Sequence, residues 1–282
     1  MATQEPRQTR SEQREAARAM AKQIRESHQK NEARRRYTIF AGIAALILGV
    51  GALVGWAFIS NSDSNLNGTA TPTNAIFNNG VRVGTGLKTF TPTESPNTQN
   101  VPVVKIYLDY QCPICQAFDV PNSSLIKDKV DAGQWIVEYH PISFLDRNSL
   151  NAYSSRAANA AMCVAEYSKD DFLNFTNLLY ANQPGEGTAG PDNAALIDFV
   201  KQVGAKNQDK ISSCINNKSF GKWIADTTTE ALSKKVPGTN LDITGTPTIV
   251  VNGQQYTWNT NSDLGSPARF EQWVTTAFAV KE

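Results

Sequence analysis

Cys112-Pro113-Ile114-Cys115 is the stretch of this chain whose residue types and spacing carry the most definite chemistry. Two thiols two residues apart at the start of a helix can interconvert between dithiol and disulfide. The first thiol faces unpaired backbone N–H groups and the positive end of the helix dipole, which favour a thiolate at neutral pH. The second, one turn on, is placed to resolve a mixed disulfide formed at the first. Pro113 suits the first helical turn, where a missing N–H costs no hydrogen bond. A zinc half-site and an inert bridge are the competing uses of such a pair. Zinc requires two further ligands, yet the chain has no second C-x-x-C and no His pair, and Cys163 and Cys214 are not spaced as in a zinc ribbon. Redox chemistry is therefore the expectation, with no metal and no cofactor.

The elements that must position these thiols flank them. Val103 to Leu108 is a β-branched and aromatic run that reads as a buried strand. Phe118, Ser124, Leu125 and Ile126 begin a helix that Pro121 should bend or interrupt. Trp135 to His140 is a second strand, stopped by Pro141, so the three elements make a βαβ unit with parallel strands. His140, the only histidine outside the N-terminal tail, reads as structural or solvated, with a proton carrier as the alternative.

From Asn148 to about Lys235 the pattern turns helical, with Ala157, Ala160, Ala161 and Val164 on one close-packed face. Leu196, Phe199, Val200 and Val203 follow the i, i+3, i+4, i+7 spacing of another helix, closed by Gly204. Cys163 and Cys214 both fall in this block. Paired, they would close a loop of roughly fifty residues, worth at most ~4 kcal/mol in the chain-entropy model. A structural bridge is the expectation, against buried free thiols or a second redox couple. Sheet pattern returns late: Thr248 to Val251, an Asn252-Gly253 turn and Gln254 to Trp258 predict a hairpin, headed by Gly245-Thr246-Pro247. Ser266-Pro267 opens a last helix carrying Phe270, Trp273, Val274 and Phe278. Ala75 to Phe77 and Val81 to Val83, joined through Asn78-Asn79-Gly80, predict a first strand or small hairpin.

The N-terminal quarter has a different character. Net charge is +1, but residues 1–37 alone carry +5 and the other 245 carry −4. The basic excess is confined to a tail, which argues against a nucleic-acid-binding main domain. Ile39 to Ile59 is an uncharged run of 21 residues, spanning about 32 Å as a helix against a hydrocarbon core of roughly 30 Å. A cleaved signal peptide would have a shorter apolar core and an A-x-A-like site, and Ala57-Phe58-Ile59-Ser60 is a poor one. Residues 38–60 are thus expected to be a retained transmembrane signal-anchor. Arg34-Arg35-Arg36 on one flank puts the 1–37 tail in the cytoplasm and the remainder outside the cell membrane. The Asn/Ser/Thr/Gly-rich residues 61–74 are expected to be a flexible linker.

The strand-C-x-x-C-helix unit, the helical block after the second strand and the Thr-Pro before a late hairpin strand together resemble the thioredoxin fold. They resemble its DsbA-like branch, with an inserted helical domain. The resemblance covers roughly residues 75–282, with the insertion at about 148–235. It implies an α/β domain whose catalytic residues are Cys112 and Cys115, supported by Pro113, Ile114, Thr246 and Pro247. Pro247 would follow a cis peptide bond beside the sulfurs, and the Thr246-Pro247 loop would pair with a substrate strand. Phe118-Asp119 match the aromatic-plus-acid pair that follows the motif in that branch. Two positions depart from it: Ile106 stands six before Cys112 in place of a buried acid, and the dipeptide is Pro-Ile rather than Pro-His. The implied function is an extracytoplasmic oxidase that introduces disulfides into exported cysteine-containing proteins. A quinone-linked membrane partner resembling DsbB or VKOR would reoxidise it. The other functions considered for such a fold are a disulfide reductase or isomerase, for example in cytochrome maturation, and a binding or metal-carrier module.

Overall fold

The computed structural model describes residues 68–280 except 92, 95–97 and 99. The cytoplasmic tail and membrane helix expected over residues 1–60 lie outside the described residues. Among the described residues no helix is long and apolar enough to cross a membrane.

In chain order the elements are β1 (Val81–Gly84), β2 (Lys88–Thr89), β3 (Val103–Leu108), α1 (Pro113–Asp131) and β4 (Ile136–Pro141). There follow α2 (Tyr153–Tyr167), α3 (Phe172–Ala181), α4 (Asn193–Gln202), α5 (Gln208–Asn216) and α6 (Gly221–Ser233). The chain closes with β5 (Thr248–Val251), β6 (Gln254–Gln255), α7 (Asn261–Leu264) and α8 (Pro267–Ala279). The strands form one sheet in the order β2-β1-β4-β3-β5-β6. β3 and β4 run parallel, Val103 opposite Ile136 through Leu108 opposite Pro141, as a βαβ unit requires. β5 lies antiparallel on the other side of β3, with Tyr107 opposite Thr248.

Period-two alternation divides β3 between two cores. Val104, Ile106 and Leu108 join the main core with Phe118 and Ile126 of α1, whereas Tyr107 packs with Val236, Ile243 and Val250 on the opposite face. α1 buries Cys115, Phe118, Asp119, Asn122, Ile126 and Val130, a stripe at helical spacing. It runs through Pro121 as one helix, so the expected interruption is absent. Phe118 meets Phe270 of α8 edge-on, with ring centroids 5.0 Å apart. α2 lies at the centre of the helical block, where its run of small alanines is fully buried.

Three expectations need correction. Residues 68–74 are strapped to the helical block rather than loose. Ala70 N–H donates to Ser219 O at 3.1 Å, Thr73 N–H donates to Glu166 Oε2 at 2.8 Å, and the Asn74 amide donates to Ala165 O. Thr73 and Asn74, two of the polar residues that give the stretch its linker composition, make two of these bonds. Ala75 to Phe77 form no strand: Phe77 and Gly80 exchange backbone hydrogen bonds to close a tight turn, and β1 pairs with β2 instead. β6 stops at Gln255 rather than continuing to Trp258; Tyr256 N–H still donates to Ile249 O at 2.9 Å, and its ring packs against Trp258, Phe270 and Trp273, the Trp273 ring 4.9 Å away.

Candidate active site

The site is built at the carboxyl end of β3. Asp109 turns the chain: its Oδ1 accepts from Gln111 N–H at 2.8 Å and its carbonyl accepts from Cys112 N–H at 3.1 Å. This is the local side-chain capping that makes aspartate a turn residue. Cys112 is the N-cap of α1, Pro113 follows in the first turn, and that turn holds no acidic residue to neutralise the helix dipole. Cys112 and Cys115 are both unbridged, and the first is 6 % exposed against 1 % for the second. An incoming sulfur therefore reaches Cys112 first.

The two thiols titrate oppositely. Hydrogen bonding from Cys115 holds the Cys112 thiol below its ordinary range against the opposing effect of burial, with help from Thr246. Burial pushes the Cys115 thiol well up, and the neighbouring Cys112 sulfur adds to the rise. Pro247 is buried and follows a cis peptide bond, and the preceding Thr246 carbonyl accepts from Cys112 Sγ at 3.2 Å. The Thr246 hydroxyl is buried without another partner, so it is free to donate to a sulfur anion. Pro113 is exposed and Ile114 half-buried against the core. Cys163 and Cys214 are bonded to each other, S–S 1.99 Å, joining α2 to α5. The four cysteines thus form two separate pairs.

Sequence reasoning did not single out the side chains that hold this turn in place. Asp109 is fully buried and accepts from three donors, Gln111 N–H, Leu145 N–H at 2.8 Å and Ser154 Oγ at 2.7 Å. Burial raises its carboxyl to about 6 even against those bonds. Gln183, just beyond α3, donates to both the Tyr110 and Cys112 carbonyls at 3.0 Å. Gln116 donates to Tyr180 O at 2.9 Å, and Tyr180 OH to Asp109 O at 3.3 Å. The helical block therefore grips the motif on several sides. The sequence signal for Asp109 was its place at a strand end three residues before Cys112; Gln183 left no signal. Asp119, one turn beyond Cys115, is buried, and burial raises it to about 7.

His140 takes no part. It lies on the sheet face opposite α1, stacked on Tyr107 at 4.2 Å and bonded to Glu138 at 2.7 Å. Glu138 also meets Arg82 at 2.5 Å; burial alone would raise its carboxyl, but the His140 and Arg82 interactions outweigh this and hold it below the usual range. A Cβ at Gly80 would stand 2.7 Å from the imidazole, so only glycine allows the turn to cover this network.

A family model described as thioredoxin matches residues 97–267. Serine/threonine-protein kinase PknE of Mycobacterium tuberculosis is 29 % identical over 193 residues, or 65 % of this chain, and the chain spans 31 % of that protein's length. Among solved structures, reduced DsbA from M. tuberculosis is 29 % identical, with a TM-score of 0.56 over 71 % of this chain and 93 % of that one. The reduced disulfide bond oxidoreductase DsbG from M. tuberculosis is 30 % identical, with a TM-score of 0.56 over 77 % and 93 %. The MdbA thiol–disulfide oxidoreductase of Actinomyces oris shares the fold at 18 % identity and a TM-score of 0.53, covering 76 % and 99 %. The matched segment runs from before β3 to the start of α8 and takes in Cys112, Cys115 and the Thr246-Pro247 loop, so the chain belongs to the thioredoxin family.

Proposed function

We propose that this protein is a protein thiol–disulfide oxidoreductase of the DsbA type, acting as an oxidase on exported cysteine-containing proteins. The opposed titration of the two thiols at the start of α1 carries this reading. A dithiol form in which Cys112 is stabilised as an anion makes the disulfide form the better oxidant. In the oxidised protein a client thiolate attacks Cys112 Sγ, forming a client–Cys112 disulfide. The Cys112–Cys115 bond breaks, and Cys115 departs with the electron pair and takes up a proton. A second client thiolate then attacks the client sulfur of that mixed disulfide. The client disulfide forms and Cys112 leaves as a thiolate at the helix N-terminus, so two electrons have passed from client to protein. The carbonyl of Thr246, beside Cys112 Sγ, offers an edge for an extended client segment.

On this reading residues 38–60 anchor the domain outside the cytoplasmic face, and a DsbB- or VKOR-like membrane protein reoxidises the pair. The positive Arg34-Arg35-Arg36 flank and the uncharged run after it support that arrangement. The direction of transfer is tested by equilibrating the full-length chain in glutathione buffers. A Cys112–Cys115 potential near about −120 mV supports an oxidase, and one near about −270 mV overturns that direction in favour of a reductase.

A further inference from the structure

Two helices meet the Cys112 turn with opposite ends. The N-terminus of α1 favours an anion on the Cys112 sulfur. The carboxyl end of α3 closes on the same turn from the helical block, its Tyr180 carbonyl accepting from Gln116 Nε2 at 2.9 Å, and such an end disfavours an anion. The Asp109 carboxyl also acts against one. The carbonyls of Asp109, Tyr110 and Cys112 turn toward this block as well, accepting from Tyr180 OH and from Gln183. A sulfur anion beside so many acceptors depends on the donors that cover them.

Side-chain amides of glutamine supply those donors. Beside Gln116, Gln111 Nε2 reaches the Gly185 and Thr188 carbonyls at 3.4 and 3.3 Å. Gln183 Nε2 donates to Tyr110 O and to Cys112 O, both at 3.0 Å, which uses the two N–H groups an amide has. Cys112 O also accepts Gln116 N–H at 3.1 Å, and Cys112 N–H is held by Asp109 O at 3.1 Å. Gln183 thus completes the pinning of the Cys112 backbone, with Sγ 3.2 Å from Thr246 O. It also sets the positive end of its amide dipole against the residue that carries the sulfur. Gln183 is half-buried and follows Asn182, the C-cap of α3, and its own N–H donates to Tyr180 O at 3.3 Å. Its place is therefore set by the helical block, not by the motif.

We propose that Gln183 is a positioning residue for the redox couple: its amide clamp fixes Cys112 over the start of α1 and thereby sets how strongly the Cys112–Cys115 bridge oxidises. The inference rests on the thiol–disulfide reading above. The clamp acts unequally on the two redox forms, because only the dithiol form carries an anion at Cys112. In exchange with glutathione, two glutathione thiols give two electrons to the bridge and join as glutathione disulfide. The bridge opens to a Cys112 thiolate and a Cys115 thiol, and the second proton goes to solvent. Donors that hold the thiolate favour this opening, and their loss returns the equilibrium toward the bridge.

The test is the equilibrium constant of the full-length chain with glutathione, measured beside the pH midpoint of Cys112 alkylation and the urea midpoint. Gln183→Met keeps the side-chain length and removes both donors. It should shift the equilibrium about fivefold toward the bridge, the net worth of one hydrogen bond, and raise the alkylation midpoint. Gln183→Glu puts an anion in place of the donors and should shift it further. Gln183→Lys restores a donor and should return it to wild type or past it. A merely structural clamp supports both redox forms alike, so it predicts a lower urea midpoint in Gln183→Met with the glutathione equilibrium unchanged. An unchanged equilibrium in that variant overturns the proposal. If Gln183→Met does not fold, equal equilibrium constants in Gln183→Glu and Gln183→Lys overturn it instead. A wild-type chain that forms no Cys112–Cys115 bridge at any glutathione ratio overturns the thiol–disulfide reading itself.

Discussion

One residue decides the chemistry: Cys112, held at a helix start with Cys115, Thr246 and backbone dipoles around it. Its partner is equally specified, buried and protonated until it is needed. The pair therefore predicts opposite outcomes for two similar substitutions. With a reduced cysteine peptide as substrate, Cys112→Ser should abolish disulfide transfer. Reduced Cys115→Ser, mixed with oxidised glutathione, should retain attack by Cys112 and accumulate a stable mixed disulfide visible as an added mass, since nothing is left to resolve it. Equal reactivity of the two variants would mean that the sulfurs have been assigned the wrong roles. The motif and both its sulfurs were legible in the sequence because helix-terminal electrostatics is a local property. The burial of Asp109 was not, because its carboxylate accepts from Leu145 and Ser154, which lie 36 and 45 positions away.

Among the elements, β3, α1 and β4 form the frame, and the helical block fastens it. Asp109 is the joint between them, taking one donor from its own turn, one from the loop after β4 and one from α2. Asp109→Ala would leave two buried backbone N–H groups unpaired. It should cost on the order of 3 kcal/mol, read as a lower urea midpoint. A midpoint within error of wild type would show that the joint is not needed. The strands, the late hairpin start and the helical block could all be anticipated from periodicity and turn residues. The strap over residues 68–74 could not, because Thr73 and Asn74 read as flexible until Glu166 and Ala165 accept their hydrogen bonds, and Ala70 until Ser219 accepts its N–H. Nor could the short β6, beyond which Tyr256 still bonds Ile249 O while its ring packs against Phe270 and Trp273 of α8.

Across the whole molecule, the Cys163–Cys214 bond and the buried carboxyls set stability separately from chemistry. The bond ties α2 to α5 across 51 residues, and replacing both cysteines with alanine should cost at most ~4 kcal/mol while leaving glutathione-dependent bridge formation at Cys112 intact. Loss of that reaction would instead make the second pair part of the redox machinery. Asp119 and Asp109 have folded-state values raised to about 7 and about 6 from 3.8. The folded protein therefore holds protons that the unfolded chain gives up, and this share of stability is complete below about pH 4 and lost as pH rises toward 7. Glu138, held low by His140 and Arg82, acts with the opposite sign, and its share is lost only in acid. Asp119→Asn should flatten the decline between about pH 4 and 7 and raise stability at pH 7 by on the order of 4 kcal/mol, seen in urea unfolding at several pH values. An unchanged pH profile would show that Asp119 ionises in the folded state as it does in water.

The most direct test of the whole account is the pH titration of Cys112 in the reduced full-length chain, followed by its rate of alkylation with Cys115 replaced by alanine and, separately, intact. With Cys115 intact, the midpoint should fall clearly below that of an ordinary thiol, and it should rise when the Cys115 hydrogen bond is removed. A midpoint at or above the ordinary thiol range in the intact protein would contradict the claim that this helix start holds a sulfur anion.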